Sequence, residues 1–289
     1  MDFLSDYFDG LLMDMLRGAV SDYFTSIAHL TNNVQDTVLI DIEDYSPTLF
    51  ETLVNISEAA VLPVASLIFT YIMTLNFIRI CEDRNSFRDS SFMPIFKWIL
   101  YTGIGVLLIS KTNQIVIGIY DVINTMISAT THTLHVDVDL SLQDKLNELV
   151  DALDPSDHGT IIRLIIELTI CRLIMWFISI LCRALMYYRI VKMYLYFVGA
   201  AIPMATLLDR DRQSLVGENY FKYMAAIGLQ GFYTLIVIAI FEVLVTTLIT
   251  NPPDNISDMI WDSVMYLIVL FLAIRSTKKI STITVGARG

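Results

Sequence analysis

Residues Tyr194 to Thr250 read YLYFVGAAIPMATLLDRDRQSLVGENYFKYMAAIGLQGFYTLIVIAIFEVLVTTLIT. An apolar run meets Gly199 and Pro203, then gives way to a charged turn at Asp209 to Arg212. After Gly217-Glu218-Asn219 a new helix is expected to open, amphipathic at first and wholly apolar at its end. Proline inside an apolar helix removes a backbone donor and crowds the carbonyl four residues earlier. At membrane depth the freed groups are satisfied only by protein or by a water-lined cavity. The stretch therefore predicts a broken or re-entrant element near Gly199–Pro203, at a membrane face. Residues 193–208 fit a re-entrant segment, an interfacial one or a continuation of the helix before them.

Working outward, the whole chain supports a membrane setting. It has 289 residues, 55% of them hydrophobic and 17% charged, with a mean hydropathy of +0.61. A water-soluble domain carries more charge than that. Several runs reach the ~20 apolar residues that cross a bilayer as a helix. The expected class is an all-α, polytopic membrane protein. No basic n-region of a signal peptide precedes the first apolar residues, which are interrupted by Asp2, Asp6, Asp9 and Asp14. Cys81, Cys171 and Cys182 lack metal or redox spacing and are read as small apolar residues. HExxH, GxSxG, P-loop and dinucleotide-binding patterns are all missing, so neither an enzyme nor a cofactor is expected.

The net charge is −11, and its distribution sets the expected topology. Up to and including Glu58 there are eleven acidic residues against one basic, Arg17. Between Lys111 and Thr160 there are eight acidic and two basic. Fourteen of the nineteen Lys and Arg fall in segments 79–97, 183–222 and 275–289, which hold six of the thirty acidic residues. Alternation of this kind is the positive-inside pattern. It predicts five transmembrane helices, with the N-terminus outside and the C-terminus inside. A crossing by Met193 to Leu208 would reverse every assignment after it, placing the acidic loop 251–262 inside and the basic tail outside.

This divides the chain into five parts. Residues 1–58 form an extracytoplasmic amphipathic-helical region, and 59–110 hold the first two spans. Residues 111–159 form an extracytoplasmic segment, 160–275 a core with spans three to five, and 276–289 a cytoplasmic basic tail. In the first part, apolar pairs recur at helical spacing from residue 3 to 24 and include Phe3, Tyr7, Phe8, Leu11, Leu12 and Met15. The opposite face is acidic, which disfavours anionic lipid. The helix either lies on its own protein or docks onto a partner subunit or a neighbouring copy. Ser46-Pro47 reads as an N-cap and first-turn proline, and Pro63 predicts a kink near the outer face. The second span runs from Pro94 to Ser110, and Ile115 to Ile127 can continue that helix. An amphipathic helix is expected over Ser141 to Leu153. A third helix from Thr160 to Val198 would measure ~57 Å at 1.5 Å per residue, well beyond the ~30 Å hydrocarbon core. The fourth span covers 221–250, and the fifth covers 259–274 with Ser257 as its cap.

Candidate functional residues are the ionisable and small ones inside spans. Arg172 and Glu242 lie at similar depths from the outer face, so they are expected to pair, within one subunit or between neighbours, or else to line a polar conduit. Glu167 shares that arginine or pairs with Arg163 four residues earlier. Gly228, Gln230 and Gly231 mark close helix packing, as Gly199 and Pro203 mark the break. His132 and His135, followed by Asp137 and Asp139, have metal-binding residue types without a defined third ligand, and a solvated loop explains them as well.

The order of these features carries a resemblance. A long apolar helix ends at Tyr187-Tyr188-Arg189. Ala201-Ile202-Pro203, the charged turn, GENYFKYMAAIGLQGF and a long apolar run follow. This resembles the TrbL-like polytopic inner-membrane subunit of conjugative type IV secretion systems, the counterpart of the sixth protein of the VirB set. It looks closest to versions from elements of Gram-positive bacteria. The likeness is strongest over residues 160 to 275 and is one of general pattern in the N-terminal third. It implies a bacterial cytoplasmic-membrane protein that forms a homo-oligomeric ring within the DNA-transfer channel. Membrane lipid, a VirB-type ATPase and bitopic scaffold subunits are the implied partners. A single-stranded DNA–protein complex is the implied transported substrate. A self-contained small-molecule or ion transporter is the alternative, although no internal repeat is visible. A non-conducting anchor that recruits other subunits is a further one.

Overall fold

The computed structural model describes residues 2–83, 93–133, 141–153, 155, 157–208, 214–253 and 255–287. The charged turn Asp209 to Arg212, loop residues Arg84 and Arg88, and the run from His135 to Asp139 lie outside these, as do the side chains of His132, Phe3 and Phe8. Among the described residues the fold is all-helical. The helices are α1 Asp2–Leu39, α2 Pro47–Ile56, α3 Leu62–Asp83, α4 Met93–Ser110, α5 Thr112–Thr133, α6 Ser141–Asp151, α7 His158–Gly199, α8 Ala201–Thr206, α9 Ser214–Thr250 and α10 Ile256–Val285. Five stretches are long and apolar enough to cross a membrane: Pro47–Glu82, Met93–Ser110, His158–Gly199, Leu215–Thr250 and Ile256–Val285.

The chain separates into two compact units. One, the α1 unit, comprises Met1–Leu39, Ile127–Tyr187 and Gly231–Thr277; the other, the α8 unit, comprises Ile40–Met126, Tyr188–Gln230 and Lys278–Gly289. In the α1 unit, burial follows steps of three and four residues. Leu12, Leu16, Val20, Tyr23, Ile27, Leu30, Val34 and Val38 form the stripe on α1, and Ile161, Leu164, Leu168, Cys171, Met175, Ile178, Cys182 and Met186 that on α7. This is the spacing of helices packed nearly parallel, ridge into groove. The Tyr23 hydroxyl meets Ser263 Oγ at 2.8 Å. On α6, Leu146 and Val150 are buried. Cys171 and Cys182 are buried free thiols.

Two apolar clusters organise the α8 unit. In one, Ile42, Val116 and Tyr120 pack with Ile190, Met193, Tyr194, Phe197 and Met224. In the other, Ala201, Met204 and Ala205 of α8 pack with Ala65, Phe69, Ile72 and Met73 of α3 and Ile109 of α4. The α3–α4 approach is close enough that a Cβ on Gly105 would collide with the Phe69 ring. Trp98 Nε1 donates to the Met73 carbonyl at 3.0 Å.

Several local expectations are refined. The predicted break falls at Ala200, whose amide donates to the Phe197 carbonyl at 3.3 Å before α8 begins. Pro203 is the third residue of α8, where a helix has no internal partner for an N–H. Within an unbroken α7 its ring would have collided with the carbonyl of Gly199. Ser46 and Pro47 occupy the cap and first position of α2, without a side-chain cap bond. Ahead of Pro63 the helix adopts a π turn, Ser57–Val61, closed by the Leu62 amide on the Ser57 carbonyl. Lys111 does not stop the backbone ladder, because its amide donates to Leu107 and its carbonyl accepts from Ile115.

Other boundaries move. Helix α1 runs to Leu39 instead of ending near residue 24. Helix α9 starts at Ser214, ahead of Gly217, and α10 continues through most of the expected tail to Val285. Gly286, at φ 67°, ends α10. Its amide donates to Ile283 and that of Ala287 to Thr282, the paired bonds of a glycine-terminated helix. Large apolar side chains remain exposed along α4 and α7, including Phe96, Leu107, Leu173, Trp176 and Phe177. A continuous surface of that kind is covered by lipid or protein, not water.

Candidate functional site

In the α1 unit, two arginines of α7 are held by carboxylates. Arg163 Nε donates to Glu167 Oε1 at 2.8 Å, the i,i+4 arrangement expected from the sequence. Glu167 Oε2 also accepts from Ser257 Oγ at 2.6 Å. Ser257 is thus the second residue of α10, bonded to Glu167, and not its cap; the Asn255 side chain meets Asp258 at 3.2 Å there instead.

Arg172 does not reach Glu242. Its Nη1 donates to Asp22 Oδ2 at 3.3 Å, with both side chains more than half exposed, at 55% and 62%. Within one chain, a third helix, α1, brings Asp22 to Arg172 in place of the depth-matched Glu242. Glu242 is buried near the Thr31 side chain, whose hydroxyl donates to the Ala28 carbonyl at 2.9 Å. It lines a cavity of about 20 Å³ with Gln35, Thr131 and Leu235, space for a single water. Farther along α1, Arg17 pairs with Asp14 and with Asp151 of the α6 segment, and His158 Nε2 lies 2.8 Å from Asp9 Oδ1.

The α8 unit holds the most enclosed charge. Arg189 is 2% exposed. Its Nε donates to the Ile227 carbonyl at 3.1 Å and its Nη2 to the Gly228 carbonyl at 3.3 Å. A guanidinium carries several donors in a fixed fork, so it can bind two successive carbonyls on one helix. Gly228 lets α5 approach α9 closely: a Cβ there would come within 2.6 Å of Ile123 Cδ1 and 3.5 Å of the Tyr120 ring. The Tyr120 hydroxyl is buried without a hydrogen-bond partner. Burial pushes that phenol far above its ordinary range, Tyr220 adds to the effect, and Arg189 pulls against it. Tyr120 therefore stays neutral. Gly217 sits where a Cβ would approach the Pro203 carbonyl to 2.6 Å, so α9 begins against α8. Gly199 is similarly confined, since a Cβ there would come within 3.0 Å of the Tyr220 hydroxyl. Gln230 and Gly231 are buried.

The N-terminal candidates divide between two faces. Leu12 is buried in the α1 unit, whereas Tyr7, Leu11 and Met15 are 68%, 46% and 55% exposed. They recur every fourth residue and so form one outward stripe. Among the described residues, no group of three or more His, Cys, Asp or Glu is placed to hold a metal.

In the sequence Arg189 is one of six basic residues between positions 183 and 222. A signal for its burial existed. The buried stripe of α7 passes through Cys182, Met186, Ile190 and Met193, and position 189 falls on it.

The family model described as TrbL/VirB6 plasmid conjugal transfer like protein matches residues 26–201. That span runs from α1 to the first residue of α8. It leaves out Gly217 to Phe232, part of the stretch in which the sequence resemblance was strongest. No curated protein and no solved structure matches the chain.

Proposed function

This chain belongs to the TrbL/VirB6 plasmid conjugal transfer like family, and on that premise we propose that it is a channel subunit of a conjugative type IV secretion machine. In this reading it sits in the cytoplasmic membrane of a bacterium, with the N-terminus outside and the C-terminus inside. Several copies form a ring through which a single-stranded DNA–protein complex passes. A VirB-type ATPase meets the ring from the cytoplasm and bitopic scaffold subunits meet it from outside. The observation that carries the proposal is the family match over more than half of the chain, on a protein with five membrane-length helices.

Two features support an assembly of copies. Arg163, Glu167, Arg172 and Arg189 are engaged by side chains or backbone within their own unit. A wet conduit is then better supplied by surfaces brought together from several subunits. The stripe Tyr7, Leu11 and Met15 offers such a surface, because large exposed apolar side chains in register favour a protein neighbour.

The function is tested by formaldehyde cross-linking during mating, followed by precipitation of this chain and detection of the transferred strand. Recovered DNA, together with loss of transfer when the gene is deleted, is the expected result. Loss of transfer without recovered DNA would favour the non-conducting anchor, and unimpaired transfer would remove the chain from the pathway. The topology is tested by single cysteines at positions 211 and 282, in a chain lacking Cys81, Cys171 and Cys182. Neither should react with an impermeant reagent in intact cells.

A further inference from the structure

Within the α8 unit, Lys192 of α7 and Lys278 of α10 line one cavity of about 220 Å³, together with Tyr188, Gln230 and Ser281. None of its described lining residues is acidic. Lys192 Nζ lies 4.0 Å from the centre of the Tyr188 ring, and the two ammonium groups are close enough to repel one another. Like charges held together in a partly enclosed space call for an anion between them. The tyrosine and serine hydroxyls and the glutamine amide add neutral donors of the kind that bind phosphate oxygens.

A second cavity, of about 450 Å³, shares the Tyr196 and Tyr223 walls with the first. Its character is different. Leu195 and Val216 line it and are exposed, and beside the tyrosines Asn219 is the one polar residue among its described lining. The Tyr220 ring packs at a tilt against Tyr196 with centroids 5.0 Å apart, while its hydroxyl donates to the Tyr196 carbonyl at 2.7 Å. That phenol is therefore occupied, and the ring faces it leaves are apolar. A cationic cavity thus adjoins an apolar one across a common aromatic wall, on helices of membrane-spanning length.

We propose that these adjoining cavities bind one anionic phospholipid, with its phosphodiester between Lys192 and Lys278 and an acyl chain along Tyr196, Tyr223, Leu195 and Val216. The charge selects an anion, and the apolar neighbour selects an amphiphile over a free ion. Basic pockets between membrane helices are suited to such headgroups. A nucleic-acid strand would use the lysines and tyrosines but would leave the exposed aliphatic wall unmatched. The inference does not depend on a role in DNA transfer, so either can fail alone.

The test is native mass spectrometry of the full chain in mild detergent, with equimolar palmitoyl-oleoyl phosphatidylglycerol and phosphatidylcholine. At roughly five-fold per lysine near a headgroup, the anionic lipid should be retained about thirty-fold over the neutral one. Lys192→Gln with Lys278→Gln should bring the two lipids to parity, and Lys192→Arg with Lys278→Arg should preserve the preference. Lys278 is exposed, so Lys278→Gln alone leaves the fold intact and should cost roughly five-fold. Lys222→Gln, outside the cavity, should change nothing. Equal retention in the unmodified chain would overturn the proposal, as would an unchanged preference in the double glutamine variant. Displacement of the lipid by inorganic phosphate would point to a free-anion site, and displacement by oligothymidylate to a nucleic-acid site; either also refutes it.

Discussion

Helix α7 carries Arg172 in the α1 unit and Arg189 in the α8 unit, and the two are held in opposite ways. Arg172 meets a carboxylate, Asp22, in a pair open to its surroundings. Arg189 is enclosed and bonded to the carbonyls of Ile227 and Gly228. A charge on an apolar helix is thus no measure of its structural weight. The open pair can change partners without leaving a gap between helices. The enclosed guanidinium joins α7 to α9, and its removal leaves a gap as well as losing its bonds to the α9 carbonyls.

That contrast can be broken most directly at Arg189. Arg189→Ala should lower the unfolding free energy in mild detergent by about 3 kcal/mol or more, the loss of two hydrogen bonds from a charged donor. Arg189→Met, which keeps length and drops the desolvation cost, should recover part of that. A thermal midpoint equal to that of the unmodified chain would remove Arg189 from the packing. Next in size, Gly228→Ala places a methyl 2.6 Å from Ile123 Cδ1, and overpacking of about 1–3 kcal/mol, less up to ~1 kcal/mol of helix propensity, should leave a net loss of up to ~2 kcal/mol. Gly118→Ala, with nothing within 4 Å, should instead be neutral or gain up to ~1 kcal/mol of helix propensity. The same melts distinguish the two.

Arg172→Leu should cost less than Arg189→Ala, because the Asp22 side chain it leaves behind is open to its surroundings and not enclosed in packed helices. In double-mutant cycles, Arg172 should couple weakly to Asp22 and not at all to Glu242. Coupling to Glu242 above ~1 kcal/mol would reinstate the pairing inferred from depth. The smallest effect belongs to Asp157, just before α7. Its carboxylate accepts from the Thr160 hydroxyl at 2.6 Å and the Thr160 amide at 3.2 Å. These bonds, the side-chain one foremost, hold it below the ordinary aspartate value of 3.8. A lowered folded value means that the stabilisation is complete above pH 3.8 and disappears as acidification passes the folded value. Between about pH 5 and pH 2 the melting point of the unmodified chain should therefore fall slightly more than that of Asp157→Ala.

The sequence made the long apolar helices, the Pro203 break and the cap at Ser46-Pro47 legible because each rests on local chemistry: run length, a missing donor, a small polar residue before proline. It did not reveal the reach of α1, because Thr31, Asn32, Asn33, Gln35 and Asp36 dilute a stripe that Ile27, Leu30, Val34 and Val38 continue. Nor did it reveal the partner of Arg172 or the role of Ser257. Both depend on which helix lies beside which, and spacing along one helix carries no record of that. The joined cavities around Lys192 and Lys278 are of the same kind, built from residues 86 positions apart.

The π turn at Ser57–Val61 has a consequence for changes in chain length. It accommodates one residue more than an α-turn would at the same place. Substituting an exposed residue such as Ala59 or Ala60 should change little. Deleting one would convert the segment to an ordinary helix and rotate everything before it by about 100°, the angle per residue of an α-helix. Phe50, Leu53 and Val54 would then swing away from the cluster around Tyr194 and Phe197, including the ring contact between Phe50 and Phe197 at 5.1 Å. The exposed positions of this turn tolerate a change of letter far better than a change of count, as a spacer does when it sets phase between two engaged gears.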